Sequence, residues 1–288
     1  MDYAAVVIVE VFYGISVLVL ISAGLAVVFG MMRVINLAHG EFITLGGYAA
    51  ITAHSLGVPI FISTLIVAPI VVAIFGLVVE RLIVRFLYGR LINTMLATWG
   101  LSLLMIGGMT MIFGNTTTGI PTPISGFTLG RYQMSGYNLF VIFMAIVTVI
   151  IIYGVLKTTR AGLIARGAMQ NPEMANAFGY NTSRIYMLTF TAGAALSGLA
   201  GGVMAPLVGL NPASGANYIA KAFITVISGG TSVVSGLLSS ATLFGSVSQI
   251  VTFISTSVVG EIALLIAAVI LLRLLPTGIT GRFLKGRV

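Results

Sequence analysis

No cysteine occurs in the chain, which excludes disulfides, thiolate metal sites and cysteine nucleophiles. Charge is nearly as scarce: only 7% of the 288 residues are Asp, Glu, Lys or Arg, where soluble domains carry about 25%. A water-facing surface cannot be built from so few. Histidine is limited to His39 and His54, and without HExxH or a comparable ligand cluster no metal site is expected. Neither GxxxxGK[ST] nor GxSxG nor a catalytic pair of carboxylates occurs. The chain therefore carries no nucleotide site, no catalytic residue and no cofactor motif, and is not an enzyme by itself.

What is present is apolar surface, with 58% hydrophobic residues and a mean hydropathy of +1.14. Runs near the length that crosses a bilayer, about 20 residues, recur along the whole chain: 10–30, 42–55, 60–79, 94–113, 137–157, 185–207, a Gly-split pair at 218–228 and 235–255, and 258–275. The expected fold is an all-α polytopic membrane helix bundle of about eight transmembrane spans, a single transmembrane domain over 1–288. The start MDYAAVVIVE lacks a basic n-region, so the first helix is expected to be retained.

The formal charge of +8 is topological rather than a nucleic-acid footprint. Most basic residues border apolar runs in three groups, Arg81, Arg85 and Arg90, then Lys157, Arg160, Arg166 and Arg184, then Arg273, Arg282, Lys285 and Arg287. The positive-inside rule places 80–93, 157–184 and the C-terminus in the cytoplasm and the N-terminus outside. The loops 114–136 and 208–217 then face outward, and INLAHGEF (35–42) lies near the inner side.

Two places are irregular. The run 42–55 is short for a crossing, and GGTSVVSG (229–236) interrupts another run with turn formers. Irregular backbone at membrane depth is tolerated only inside protein or along a wet cavity, so both are expected half-helices beside a pathway. An echo links the first to a matching place later in the chain. Asn36, Ala38, Gly40, Phe-Ile-Thr (42–44) and Gly-Gly (46–47) recur as Asn211, Ala213, Gly215, Phe-Ile-Thr (223–225) and Gly229-Gly230. Each copy follows a helix with a small-residue stripe, Ser22/Ala26/Gly30 or Ala194/Gly198/Gly202. The reading is an inverted repeat with its pathway at the repeat interface, and the alternative is a chance match among small apolar residues. The candidate pathway residues are Asn36, His39, Gly40, Glu41, Asn211, Gly229, Gly230 and Thr231. His39 and Glu41 either brace the turn or touch substrate. Lys221 either snorkels or meets substrate, and a cytoplasmic Glu80–Arg81 ion pair is expected at the end of the third span.

The longest inner segment, 158–184, contains NPEMANAFG, a complete short helix. Asn171 caps it, Pro172 suits its first turn, Glu173 faces the positive end and Gly179 closes it. So short a helix is marginal in water, and its side Met174, Ala177 and Phe178 is expected to dock on protein or lie on lipid headgroups.

GLAVVFGMMRVINLAHGEFITLGGY (24–48), ERLIVRFLYGRLINTMLATWGLSL (80–103), RAGLIARGAMQNPEMANAFGYNTSRI (160–185) and LPTGITGR (275–282) resemble the membrane permease subunits of the high-affinity branched-chain amino acid ABC importers. LYGR, LATWG and LKGR (284–287) look more like the urea and short-chain amide branch, and LPTGITGR like the amino acid branch. The resemblance implies a permease in the bacterial inner membrane that pairs with a second, similar subunit, two cytoplasmic ATP-binding subunits and a periplasmic substrate-binding protein. It implies that Glu173, Ala175 and Gly179 match the coupling loop E-A-A-x-x-x-G, with Met174 replacing an Ala and the further I-x-L-P absent. Urea or a short-chain amide is the first expectation for substrate and a branched-chain or other amino acid the alternative. A passive channel or secondary transporter is the alternative class, and leaves the capped 171–179 helix unexplained.

Overall fold

The structure is a computed structural model and describes residues 2–129, 132–230 and 232–283. Thr231 and the LKGR stretch with Lys285 and Arg287 lie outside these residues. The helices in order are α1 (Asp2–Met32), α2 (His39–Ser55), α3 (Ile60–Ile62), a π turn (Ser63–Val67), α4 (Ala68–Leu82), α5 (Leu91–Phe113), α6 (Gly136–Thr158), α7 (Arg160–Gln170), α8 (Pro172–Ala177), α9 (Thr182–Met204), α10 (Gly215–Gly229), α11 (Val233–Ile254), α12 (Ser257–Leu274) and α13 (Gly278–Phe283). Among the described residues, seven helical stretches are long and apolar enough to cross a membrane: Ala5–Met32, Ile60–Leu82, Leu91–Phe113, Gly136–Thr158, Thr182–Met204, Val233–Ile254 and Ser257–Gly281. The protein is a multi-pass, all-α membrane bundle. The expected half-helices are the remaining two long elements, α2 with 17 residues and α10 with 15, about 25 Å and 22 Å at 1.5 Å per residue.

The chain divides into two compact units. The larger comprises 23–121 and 150–220. Its helices approach backbone to backbone where one side has no side chain. A Cβ on Gly198 would lie 2.7 Å from the Ala68 carbonyl oxygen, and one on Gly202 2.5 Å from that of Thr64 in the π turn. Gly76 meets Ala194 in the same way, so the stripe Ala194/Gly198/Gly202 seats α4 and the π turn along α9, antiparallel. On α1 the close approach to α9 runs through Gly24 and Val28. Around these contacts Phe42 packs edge-on to Phe75 and Phe190, with ring centroids 5.6 Å and 6.1 Å away.

The smaller unit comprises residues 1–22, 122–149 and 221–288. In it the Glu10 carboxylate accepts from Asn138 Nδ2 at 3.1 Å and its carbonyl from Gln249 Nε2 at 3.1 Å, joining α1, α6 and α11 through polar groups that would otherwise be stranded in an apolar medium. The loop 114–136 contains an antiparallel hairpin, Phe127–Leu129 with Tyr132–Met134, which the sequence pattern did not predict.

Glu80 departs from expectation. Instead of pairing with Arg81 it is buried, and it accepts a short hydrogen bond from the Tyr88 hydroxyl. The chain doubles back at 84–90, so a residue eight positions on reaches the carboxylate while Arg81 points to the exposed side. Burial and then the Glu80 carboxylate push the Tyr88 phenol well above its ordinary range, so it stays a donor. The second Glu80 oxygen has no hydrogen-bond partner. Tyr88→Phe is therefore expected to cost about 1–3 kcal/mol and to lower the unfolding midpoint in detergent. Adding Glu80→Gln is expected to recover part of the loss, since a neutral amide is less costly to bury. An unchanged midpoint in Tyr88→Phe would remove this pair as a stabilising contact.

Candidate functional site

The echo in the sequence is a repeated piece of structure. Asn36 Oδ1 accepts from the Ala38 N–H at 3.0 Å, and Asn211 Oδ1 from the Ala213 N–H at 2.9 Å. His39 N–H reaches the Asn36 carbonyl at 3.3 Å, and Ser214 N–H the Asn211 carbonyl at 3.0 Å. Both are Asx turns, in which the side-chain amide supplies the acceptor that the turning backbone lacks. Within the helices that follow, Thr44 Oγ1 donates to the Gly40 carbonyl at 3.2 Å and Thr225 Oγ1 to the Lys221 carbonyl at 2.7 Å. The preceding helices run antiparallel, since Gly24 of α1 meets Ser197 of α9 while Val28 meets Gly193. The two copies are inverted.

They meet at equivalent residues. Gly40 and Gly215 each stand four positions after their asparagine, and each faces the other. A Cβ on Gly40 would lie 2.0 Å from the Gly215 carbonyl oxygen, and one on Gly215 2.7 Å from the Gly40 carbonyl carbon. The N-terminal ends of α2 and α10 are thus brought together with only backbone between them. Glu41 stands beside this contact, 2% exposed. One of its oxygens, Oε1, lies 2.9 Å from where a Gly215 Cβ would be, while Ser102 of α5 hydrogen-bonds the carboxylate and Oε2 is unpartnered. A carboxylate here offsets the positive ends of two helices.

His39 turns to α9, where Nδ1 lies 3.1 Å from Ser197 Oγ. The Ser197 hydroxyl also lies within hydrogen-bond reach of the Gly193 carbonyl, at 2.9 Å. The imidazole braces the turn against α9. Asn36, His39, Phe42, Phe190 and Ser197 line a crevice too narrow for a water molecule.

Of the residues expected along a pathway, Asn36, His39, Gly40 and Glu41 come together with the turn that starts at Asn211. Gly229 and Gly230 belong to the smaller unit. There the break between α10 and α11 is tighter than GGTSVVSG implied, with α10 ending at Gly229 and α11 beginning at Val233. Gly229 packs on Gly236, and Thr280 of the LPTGIT stretch donates to the Gly229 carbonyl at 2.7 Å and accepts from the Ser232 N–H at 3.3 Å. Lys221 pairs with Glu261 at 2.5 Å, both partly exposed. Sequence reasoning passed over Ser197, Ser102 and Thr280; the last two lie in quoted motifs but carried no spacing that marked them.

The segment 158–184 holds two helices rather than one. Thr159 caps α7, accepting from the Gly162 N–H at 3.0 Å, and Asn171 caps α8, accepting from the Met174 N–H at 2.9 Å. Pro172 and Glu173 occupy the first turn of α8. Gly179, at φ +85°, closes it with N–H bonds from Tyr180 to the Ala175 carbonyl at 3.0 Å and from Gly179 to that of Asn176 at 2.9 Å. Ala175 is buried against the chain, whereas Ala177, Met174 and Phe178 are exposed, Phe178 at 74%.

The Gly40–Gly215 contact sets an ordering between variants. Gly40→Leu forces the two turns apart and is expected to leave no monodisperse folded protein on size exclusion. His39→Ala loses one hydrogen bond, about 1 kcal/mol, and is expected to remain folded. A Gly40→Leu protein with an undiminished unfolding midpoint would refute the contact.

Comparison with known proteins agrees with this architecture. Residues 7–275 match the family described as branched-chain amino acid transport system / permease component. The chain is similar to the high-affinity branched-chain amino acid transport system permease protein BraD of Pseudomonas aeruginosa, 28% identical over 284 residues that cover 93% of this chain and 92% of BraD. The probable branched-chain amino acid transport permease protein LivH of Methanocaldococcus jannaschii is 28% identical over 92% of this chain and 89% of its own length. The LivH protein of Escherichia coli is 25% identical over 93% and 92%. No solved structure matches the chain. The urea and amide expectation drawn from LYGR, LATWG and LKGR finds no support among these relatives, whose names all specify branched-chain amino acids. With the match extending over nearly its whole length, the chain belongs to the family of permease components of branched-chain amino acid transport systems.

Proposed function

We propose that this protein is the membrane-spanning subunit of an ATP-driven importer of branched-chain amino acids, working with a second permease subunit, two cytoplasmic ATP-binding subunits and an extracytoplasmic binding protein. The observation that carries the ATP-driven part is α8, a helix with both ends closed and its apolar side left open. Met174 at 53% and Phe178 at 74% exposure have no cover from the chain, and a six-residue helix gains little stability on its own. An ATPase surface that takes this side explains why a self-contained short helix is built between α7 and α9. Closure of the ATPase pair then moves α8 and, through it, α9, whose Ser197 hydrogen-bonds His39 at the first turn.

The branched-chain substrate is inferred from the relatives' names and agrees with the chemistry of the turns. A zwitterion carries no net charge, and the paired turns offer backbone groups, amides and a single carboxylate rather than a fixed cluster of one sign. The basic residues bordering the spans support, by the positive-inside rule, an orientation with the N-terminus outside and the C-terminus and α7–α8 in the cytoplasm.

Phe178→Asp is expected to insert and fold normally, since the side chain is exposed, and to abolish substrate-stimulated ATP hydrolysis by the assembled complex. Normal stimulation would remove α8 as the coupling element. The substrate class is tested by calorimetric titration of the cognate binding protein with leucine, isoleucine, valine, urea and acetamide. Micromolar affinity for the three amino acids and none for the amides is expected, and the reverse pattern would replace the substrate while leaving the membrane architecture as described.

A further inference from the structure

Helix α5 touches both re-entrant turns. Near its start, Thr98 is fully buried and its Oγ1 accepts from the Leu37 N–H at 3.1 Å while donating to the Thr94 carbonyl at 2.8 Å. Leu37 stands inside the first Asx turn. Just past its end, Thr118 exchanges two backbone hydrogen bonds with Leu210, N–H to carbonyl at 2.9 Å and 2.8 Å. Leu210 immediately precedes the second Asx turn, and its side chain lies over Gly47 of α2. Between the ends, Ser102 hydrogen-bonds Glu41 and Phe113 stacks on Tyr48 with centroids 4.3 Å apart.

The rest of α5 packs on one side. It packs through a single stripe, Leu101, Met105 and Met109, of which methionine is the side chain that best tolerates sliding. On its other side Gly100, Gly107 and Gly108 have no atom within 4 Å of a would-be Cβ, and Leu104 and Met111 are 69% and 90% exposed. A helix packed on one side, tied to the first turn at Thr98 and through the loop 114–118 to the residue before the second, links the positions of the two turns.

We propose that α5 and the loop after it form a strut that couples the two turns alongside their direct Gly40–Gly215 contact, with Thr98 and Thr118 as its positioning residues. Shifting the turn at one end shifts the other, so the two sides of the repeat interface do not open independently. The consequence for transport rests on the importer reading; the linkage itself does not.

The natural absence of cysteine makes the linkage directly testable in the intact chain reconstituted in lipid. Thr118→Cys with Leu210→Cys, joined by oxidation or by a methane-length bis-thiol reagent, locks one tie. A second lock, Thr117→Cys with Gly209→Cys, leaves the Leu210 side chain in place, since a Cβ on Gly209 would already lie 2.5 Å from Thr117 Cγ2. Amide hydrogen exchange is then followed in segment 33–40; because Gly40 also meets Gly215 directly, the Thr98 variants separate the route through α5 from that contact. Joining is expected to slow exchange there at least threefold relative to the reduced protein. Thr98→Val in the same background is expected to abolish the response and Thr98→Ser to preserve it, which a purely steric role for Thr98 would not give. Unchanged exchange on joining, or a response that survives Thr98→Val, overturns the strut. Because exchange is scored without substrate or partners, a protein that shows the response yet takes up no branched-chain amino acid in the assembled importer retains the strut and overturns the importer reading instead.

Discussion

Two helix N-termini held against each other by bare backbone constrain everything around them. At Gly40 and Gly215 no side chain separates α2 from α10, so the positive ends of two helix dipoles converge and eight terminal N–H groups have no partners within their helices. In an apolar medium each of these would cost several kcal/mol if left unpaired. The sequence meets this cost locally. Asn36 and Asn211 take an N–H each through their Asx turns, Glu41 supplies a negative charge on the first turn of α2, and Ser102 and Ser197 hold Glu41 and His39 from neighbouring helices. The scarcity of charge elsewhere gives Glu41 its weight: it is one of six acids in the chain, and it is buried where a countercharge is required.

Inversion makes the arrangement economical. Because α1 and α9 run antiparallel through Gly24, Val28, Gly193 and Ser197, one turn design serves twice, and a pseudo-two-fold relation brings its equivalent glycines into contact. This is also why the echo was legible in the sequence. The Asn, Ala, Gly order encodes bonds confined to five residues, and local bonds leave local patterns. The same holds for α8, whose cap, first turn and closing glycine were read from nine consecutive letters. Helix positions were legible because apolar length is nearly all that a membrane span requires.

What the sequence concealed was long-range or depended on direction. Glu80 was assigned to its neighbour Arg81, but the doubling back at 84–90 delivers Tyr88 instead. Thr98 is one of many threonines, and only its distance from Leu37, 61 positions away in the chain, gives it a role. Thr280 bridges Gly229 and Ser232 across about fifty residues, so LPTGIT could be noticed as a motif without its purpose being visible. The substrate expectation found no support for a related reason: LYGR and LATWG form a turn with its half-buried Tyr88 and the Thr98 tie, features of architecture that do not discriminate a leucine from an amide.

Two kinds of contact with different mechanical properties divide the larger unit. Where α9 meets α2, α4 and the π turn, glycines put backbones in van der Waals contact over several turns. Such an interface has no soft side chains to absorb a shift, and close-packed groups move together or not at all. The ties to α5 combine the apolar packing of Leu101, Met105 and Met109 with the hydrogen bonds at Thr98 and Thr118 and the Tyr48–Phe113 stack. The polar and aromatic ties are worth about 0.5–1.5 kcal/mol each, too little to hold a helix but enough to fix where an apolar stripe, which has no directional preference of its own, comes to rest. The scarce polar residues thus serve two ends: at the turns they satisfy backbone that lipid cannot, and along α5 they set the register of a helix that apolar packing holds.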